Sequence, residues 1–137
     1  MSKSEEIVLV TNNDRFLSRE DGNYTLMYED CSYMDVLNSV RNRVHSNYRI
    51  LTHPMAGSLK PNQTPYKSVL LIKDETIDFK SLEMIESAIA SAEKFMKFRK
   101  LPNWTEKCLR DFKTLDLSFI EGALLNKSRN SYYIKTN

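Results

Sequence analysis

The segment YRILTHPMAGSLKPNQTPYKSVLLI, residues 48–72, decides how this chain is read. Its two ends, YRILT (48–52) and SVLLI (68–72), are short apolar runs of strand length, and the second is apolar enough for a central strand. Between them lie Pro54, Pro61 and Pro65, three of the four prolines in the chain, together with Gly57. Neither a helix nor a paired strand runs through such a stretch, because proline removes a backbone donor and fixes φ. The connection of about fourteen residues is therefore a loop, longer than connections in compact domains usually are, and loops of that kind tend to be functional. Its prolines stiffen it, and Gly57 provides a position where the backbone can turn or be approached closely.

Working outward, EIVLV (6–10) reads as a buried strand closed by the turn signal TNN, and YTLMYED (24–30) reads as a second, more exposed strand after DGN. Met34, Leu37, Val40 and Val44 recur at helical spacing behind Ser32 as N-cap. Leu82, Ile85, Ile89, Ala92 and Met96 mark a long second helix opened by Asp78 and stopped by LPN at 101–103. Leu109, Phe112, Leu115, Phe119 and Ala123 continue a helical rhythm from Thr105, with FKTLDL (112–117) left open between helix and strand. The expectation is an α/β layered single domain over residues 1–125. Its sheet is mixed or mostly parallel, with about four strands flanked by helices and two helices at the C-terminus, and 126–137 is a basic flexible tail. A crossover of strand 6–10, helix 33–46 and strand 48–52 would bring Thr11, Asn12 and Asn13 beside Thr52 and His53 at the rim where α/β sheets bind ligands. An antiparallel strand at 68–72 would add Tyr66, Lys67 and Ser68 to that rim.

Charge and composition narrow the function. The 137 residues carry a net charge of only +2, but no acid occurs from Val36 to Lys73, a stretch that holds six lysines and arginines and both histidines. An acid-free loop rich in hydrogen-bonding side chains suits a phosphate, a carboxylate or another anionic group. In that reading Lys60, Lys67 and Arg41 neutralise charge, while Asn12, Asn13, Asn62 and Ser68 orient the ligand; Asn12 and Asn13 read equally well as residues that cap the turn through their side chains. Gly57 admits it to the backbone, and Thr11, Thr52, Ser58, Thr64 and Tyr66 supply further polar contacts. His53 is the candidate general acid or base, since imidazole titrates near neutrality.

Other chemistries lack support in the residues. Ser58 has no nucleophile-elbow context, GSLK falls short of a phosphate-binding glycine loop, and two histidines and two cysteines at unrelated spacings make no metal site, so no cofactor is expected. Cys31 and Cys108 read as reduced thiols. With +2 overall and no recognised motif, nucleic acid is not the expected partner. No apolar segment is long enough to span a membrane and no signal peptide opens the chain, so a cytoplasmic location is expected.

TNN after the first strand, followed by ILTHPMAGSLKPNQTPYKSVLL, resembles the GrdX family, small proteins encoded beside glycine, sarcosine and betaine reductase genes in anaerobic bacteria. The similarity covers nearly the whole chain. It departs at Asp14, where family members often have proline, and at Met55-Ala56, which replace a leucine and a polar residue. The resemblance implies a genomic association with selenium-dependent amino acid reduction and carries no established activity or catalytic residues; reductase subunits are the partner expected on that ground, and a small anionic ligand is the partner expected from the loop. Three readings stay open: an accessory protein that binds an anion, a small enzyme acting on a phosphorylated or carboxylated metabolite through His53, and a module that docks on a reductase subunit.

Overall fold

The computed structural model describes residues 7–19, 22–56, 59–61, 63–98 and 102–129. The expected Gly57, Ser58 and Asn62, and the tail from 130 onward, lie outside the described residues. Strands β1 (Ile7–Thr11), β2 (Thr25–Tyr28), β3 (Tyr48–Ile50) and β4 (Ser68–Lys73) form one mixed sheet in the order β2-β1-β4-β3. Helices α1 (Tyr33–His45), α2 (Phe79–Phe98) and α3 (Glu106–Arg129) complete the α/β domain, with a short 3-10 helix at Asp14–Ser18.

Side-chain alternation along the two central strands explains the layers. Val8, Val10, Val69 and Leu71 pack with Val36, Val40, Ile85 and Ala88 of α1 and α2. Ile7, Leu9, Leu70 and Ile72 point the other way, onto Phe16 of the 3-10 helix and Leu117 and Ile120 of α3. Both faces of β1 and β4 are thus covered, which is why their sequences are continuous apolar runs rather than alternating ones.

β4 is antiparallel to both β1 and β3, with Thr11 opposite Ser68 and Ile50 opposite Leu71. β1 and β3 therefore run in the same direction, but β4 lies between them, and the parallel neighbour of β1 is β2. Strands 6–10 and 48–52 therefore end at the same edge of the sheet, as a crossover through the helix at 33–46 requires, with β4 inserted between them. The rim is thus the expected one: the carboxyl ends of β1 and β3 and the amino end of β4 meet at one edge.

Local signals set the helix boundaries. Ser32 and Asp35 form a reciprocal capping box at α1, which closes through Asn47, whose φ of 71° is left-handed backbone that asparagine tolerates. Thr105 accepts from the Cys108 N–H at α3, and 112–117 is helical throughout. α3 runs on through Arg129, so the boundary expected at 125 falls inside it. Asp78 opens α2 by accepting from the backbone N–H and hydroxyl of Ser81. Ser81 Oγ in turn accepts the Ile50 N–H at 2.9 Å, so the edge strand β3 finds its outer partner on a helix. Ser81→Ala should leave that N–H buried and unpaired, lowering stability by about 1–3 kcal/mol in denaturant unfolding. Among the described residues no helix is long and apolar enough to cross a membrane.

Candidate functional site

Asn12 fastens the 53–67 loop to the sheet. Its Nδ2 donates to Cys31 O at 2.9 Å and Pro65 O at 2.8 Å, and its Oδ1 accepts the Lys67 N–H at 2.9 Å. Asn13 caps the 3-10 helix by accepting from the Arg15 N–H, and its Nδ2 donates to Lys113 O and Asp116 Oδ2 on α3. Both amides thus hold the scaffold together, Asn13 as the cap of its turn. Asp14 lies in the first turn of that 3-10 helix and pairs with Lys113 at 3.0 Å, which ties the turn to α3 where proline would make no ion pair.

Asp116 is the residue that sequence reasoning missed. It reaches the rim from α3, where its Oδ2 accepts from Ser68 Oγ at 2.5 Å and Asn13 Nδ2 at 3.1 Å. With the Ser68 proton committed to the carboxylate, the 2.6 Å contact between Thr11 Oγ1 and Ser68 Oγ has Thr11 as donor, and Thr11 Oγ1 accepts the Asn13 N–H. A directed relay of buried hydroxyls thus ends on Asp116. Burial pushes its carboxyl above the usual range, while the hydrogen bonds from Ser68 and Asn13 and the charge of Lys67 pull the other way. The helical pattern held a clue. Asp116 falls one turn after Phe112 and one turn before Ile120, an acid inside the apolar stripe of α3.

Lys67 and Asp116 line the same cavity of about 390 Å³ between α3 and the loop. Its walls are Leu59, Phe112, Leu115 and Phe119, with Tyr33 at the start of α1 and Tyr66 beside Lys67. Lys67 is only 6 % exposed, and its Nζ donates to Ala56 O at 3.0 Å. Desolvation lowers its pKa to about 8, against a smaller opposing pull from Asp116. No ion pair joins the two groups, so each keeps capacity for another partner. Thr64 also lines the cavity, with its hydroxyl accepting the Tyr66 N–H in a local turn.

The remaining expected residues scatter. Arg41 pairs with Glu86 of α2 at 3.4 Å and lies about 12 Å along α1 from Tyr33, away from the rim. Lys60 is exposed and stands over the Phe95 ring at 5.6 Å. Thr52 is buried, its hydroxyl accepting the Leu70 N–H at 2.9 Å. His53 is exposed, accepts the Met55 N–H through Nδ1, and lines two neighbouring clefts rather than the Lys67 cavity. Burial and Lys67 hold its pKa below the usual value. The acid-free, broadly positive rim is thus corrected. Arg41 and Arg49 are matched by Glu86 and Asp74, and one buried cation shares a cavity with one half-buried acid.

Cys31 is half-buried, and burial together with Glu29, Asp35 and Asp30 keeps its thiol protonated, the opposite of a redox-active thiolate. Among the described residues no cluster of histidine, cysteine or carboxylate side chains is placed to hold a metal ion.

No curated protein and no solved structure matches the chain. The model of the GrdX-like protein family matches residues 8–125, which spans all four strands except Ile7 and all but the last turn of α3, and the chain therefore belongs to the GrdX-like family.

Proposed function

We propose that this GrdX-like protein is a cytoplasmic accessory component of the glycine, sarcosine and betaine reductase system, and that it binds a small carboxylate- or phosphate-bearing ligand in the cavity between α3 and the 53–67 loop. The observation that carries the ligand reading is Lys67, an ammonium almost sealed from water whose one hydrogen bond among the described residues goes to a neutral carbonyl. A buried cation without an ion-pair partner is costly to keep, and an incoming anion supplies the missing partner. The loop segment bearing Lys67 is held by Asn12 before any ligand arrives, so little ordering entropy opposes binding. His53 lies outside this cavity, and the reading asks for no turnover.

Thermal-shift measurements with inorganic phosphate, acetyl phosphate and short carboxylates test it. A probe at about a hundred times its dissociation constant stabilises the folded state by about 2.7 kcal/mol. The expected result is a rise of several degrees with at least one probe that disappears in Lys67→Met. No rise with any probe, or an equal rise in the variant, would overturn the ligand reading. The reductase association is tested by co-purification of reductase subunits from a native host, and their absence would refute it.

A further inference from the structure

Two groups of opposite charge line one cavity without pairing, and each is left with open valence. Asp116 uses only Oδ2, which takes both Ser68 and Asn13. No buried side-chain oxygen or nitrogen among the described residues lacks a partner, so the unengaged Oδ1 is not sealed and faces open space. The same reasoning applies to Tyr33, another lining residue, whose hydroxyl makes no hydrogen bond to the described residues and senses the Asp116 charge. Lys67 Nζ has three protons and one acceptor, Ala56 O, on the wall of the same cavity. Apart from the hydroxyls of Thr64 and Ser118, the rest of the lining is aliphatic or aromatic.

A plain anion satisfies Lys67 but is repelled by Asp116, and a plain cation meets the reverse problem. A molecule carrying both charges satisfies each group and is repelled by neither. Its apolar body would sit against Leu59, Phe112, Leu115 and Phe119. We infer that the cavity takes a small zwitterion with an apolar body, its carboxylate on Lys67 Nζ and its ammonium on Asp116 Oδ1 and the Tyr33 hydroxyl. This rests on the anion-binding reading above and narrows it to one ligand class.

Calorimetric titration with three probes on a matched carbon frame separates the two claims. Norleucine carries both charges, hexanoate only the negative one and pentylamine only the positive one. Norleucine should bind about tenfold or more tightly than either of the others, the difference a second charge-assisted contact makes. Asp116→Asn should bring norleucine down to the affinity of hexanoate, and Lys67→Met should weaken both. Hexanoate binding as tightly as norleucine overturns the zwitterion and leaves the anion site standing. Binding by none of the three overturns the zwitterion, and if phosphate and acetyl phosphate fail as well, the anion site falls with it. The wild-type series stands whether or not the variants fold.

Discussion

Lys67→Met is expected to make the ligand-free protein more stable, not less. The folded protein holds the Lys67 ammonium at a pKa of about 8 against the ordinary 10.5 of a lysine, a difference that corresponds to about 3 kcal/mol of burial penalty at neutral pH. Methionine has a similar reach, carries no charge and suits an irregular apolar wall. The variant loses the 3.0 Å bond to Ala56 O, so the net gain should be about 1–3 kcal/mol, or about 3–10 °C in melting temperature. The pH dependence has a definite sign. Below about pH 8 both folded and unfolded chains hold the proton and the full penalty applies; between there and about pH 10.5 the unfolded chain binds more protons, so stability rises with pH. Lys67→Met should flatten that rise. Melting curves from pH 7 to 10 would show it, and a variant that melts lower than the parent at every pH would refute the penalty.

Asn12→Ala should be among the most damaging single substitutions at the rim. It removes three hydrogen bonds and leaves the Lys67 N–H and the Cys31 and Pro65 carbonyls without the partner they have now, in a residue only 6 % exposed. Unpaired buried groups of this kind cost about 1–3 kcal/mol each, so a total of about 3–5 kcal/mol is expected after partial relaxation. Asn12→Asp is the sharper probe. It keeps the acceptor for the Lys67 N–H but turns a carboxylate toward two carbonyl oxygens, so it should be as harmful as alanine at neutral pH. In acid it should recover in part, because the protonated group can donate once. Denaturant unfolding at pH 7 and pH 5 measures both variants. A loss below about 1 kcal/mol for Asn12→Ala would mean that the loop is held by something else.

The difference between what was legible in the sequence and what was not follows from the range of the interactions. The apolar runs of β1 and β4 and the stripes of α1 and α2 are local patterns, and they identified the strands and helices. Ser32 and Asp78 were legible as caps because capping acts within three residues. Sheet order was not legible, since a strand that pairs antiparallel on both sides leaves the same apolar run as a parallel one.

At the site, the loop and the amino end of β4 were identified from chain neighbours, whereas Asp116 lies 48 residues beyond Ser68. Its role depends on how α3 rotates against the sheet. The expected cations of 36–73 could be counted but not matched to their partners, because Glu86 meets Arg41 only once α1 and α2 pack. Asn12 and Asn13 were legible as turn residues, and Asn13 does cap the turn, but the distant groups their amides meet were not. A turn asparagine looks the same in sequence whether its amide faces a ligand or a neighbouring carbonyl.

The account depends on a single lysine being kept in a desolvated pocket beside a carboxylate, and this can be measured without any ligand. Carbon-13 labelling of the lysine side chains and an NMR titration from pH 6 to 12 reports each amine separately. The structure predicts that Lys67 titrates near pH 8, well below the other lysines, and that Asp116→Asn moves it lower still, since the Asp116 charge is what holds it up. Lys67 titrating near 10.5 with no response to Asp116→Asn would contradict it.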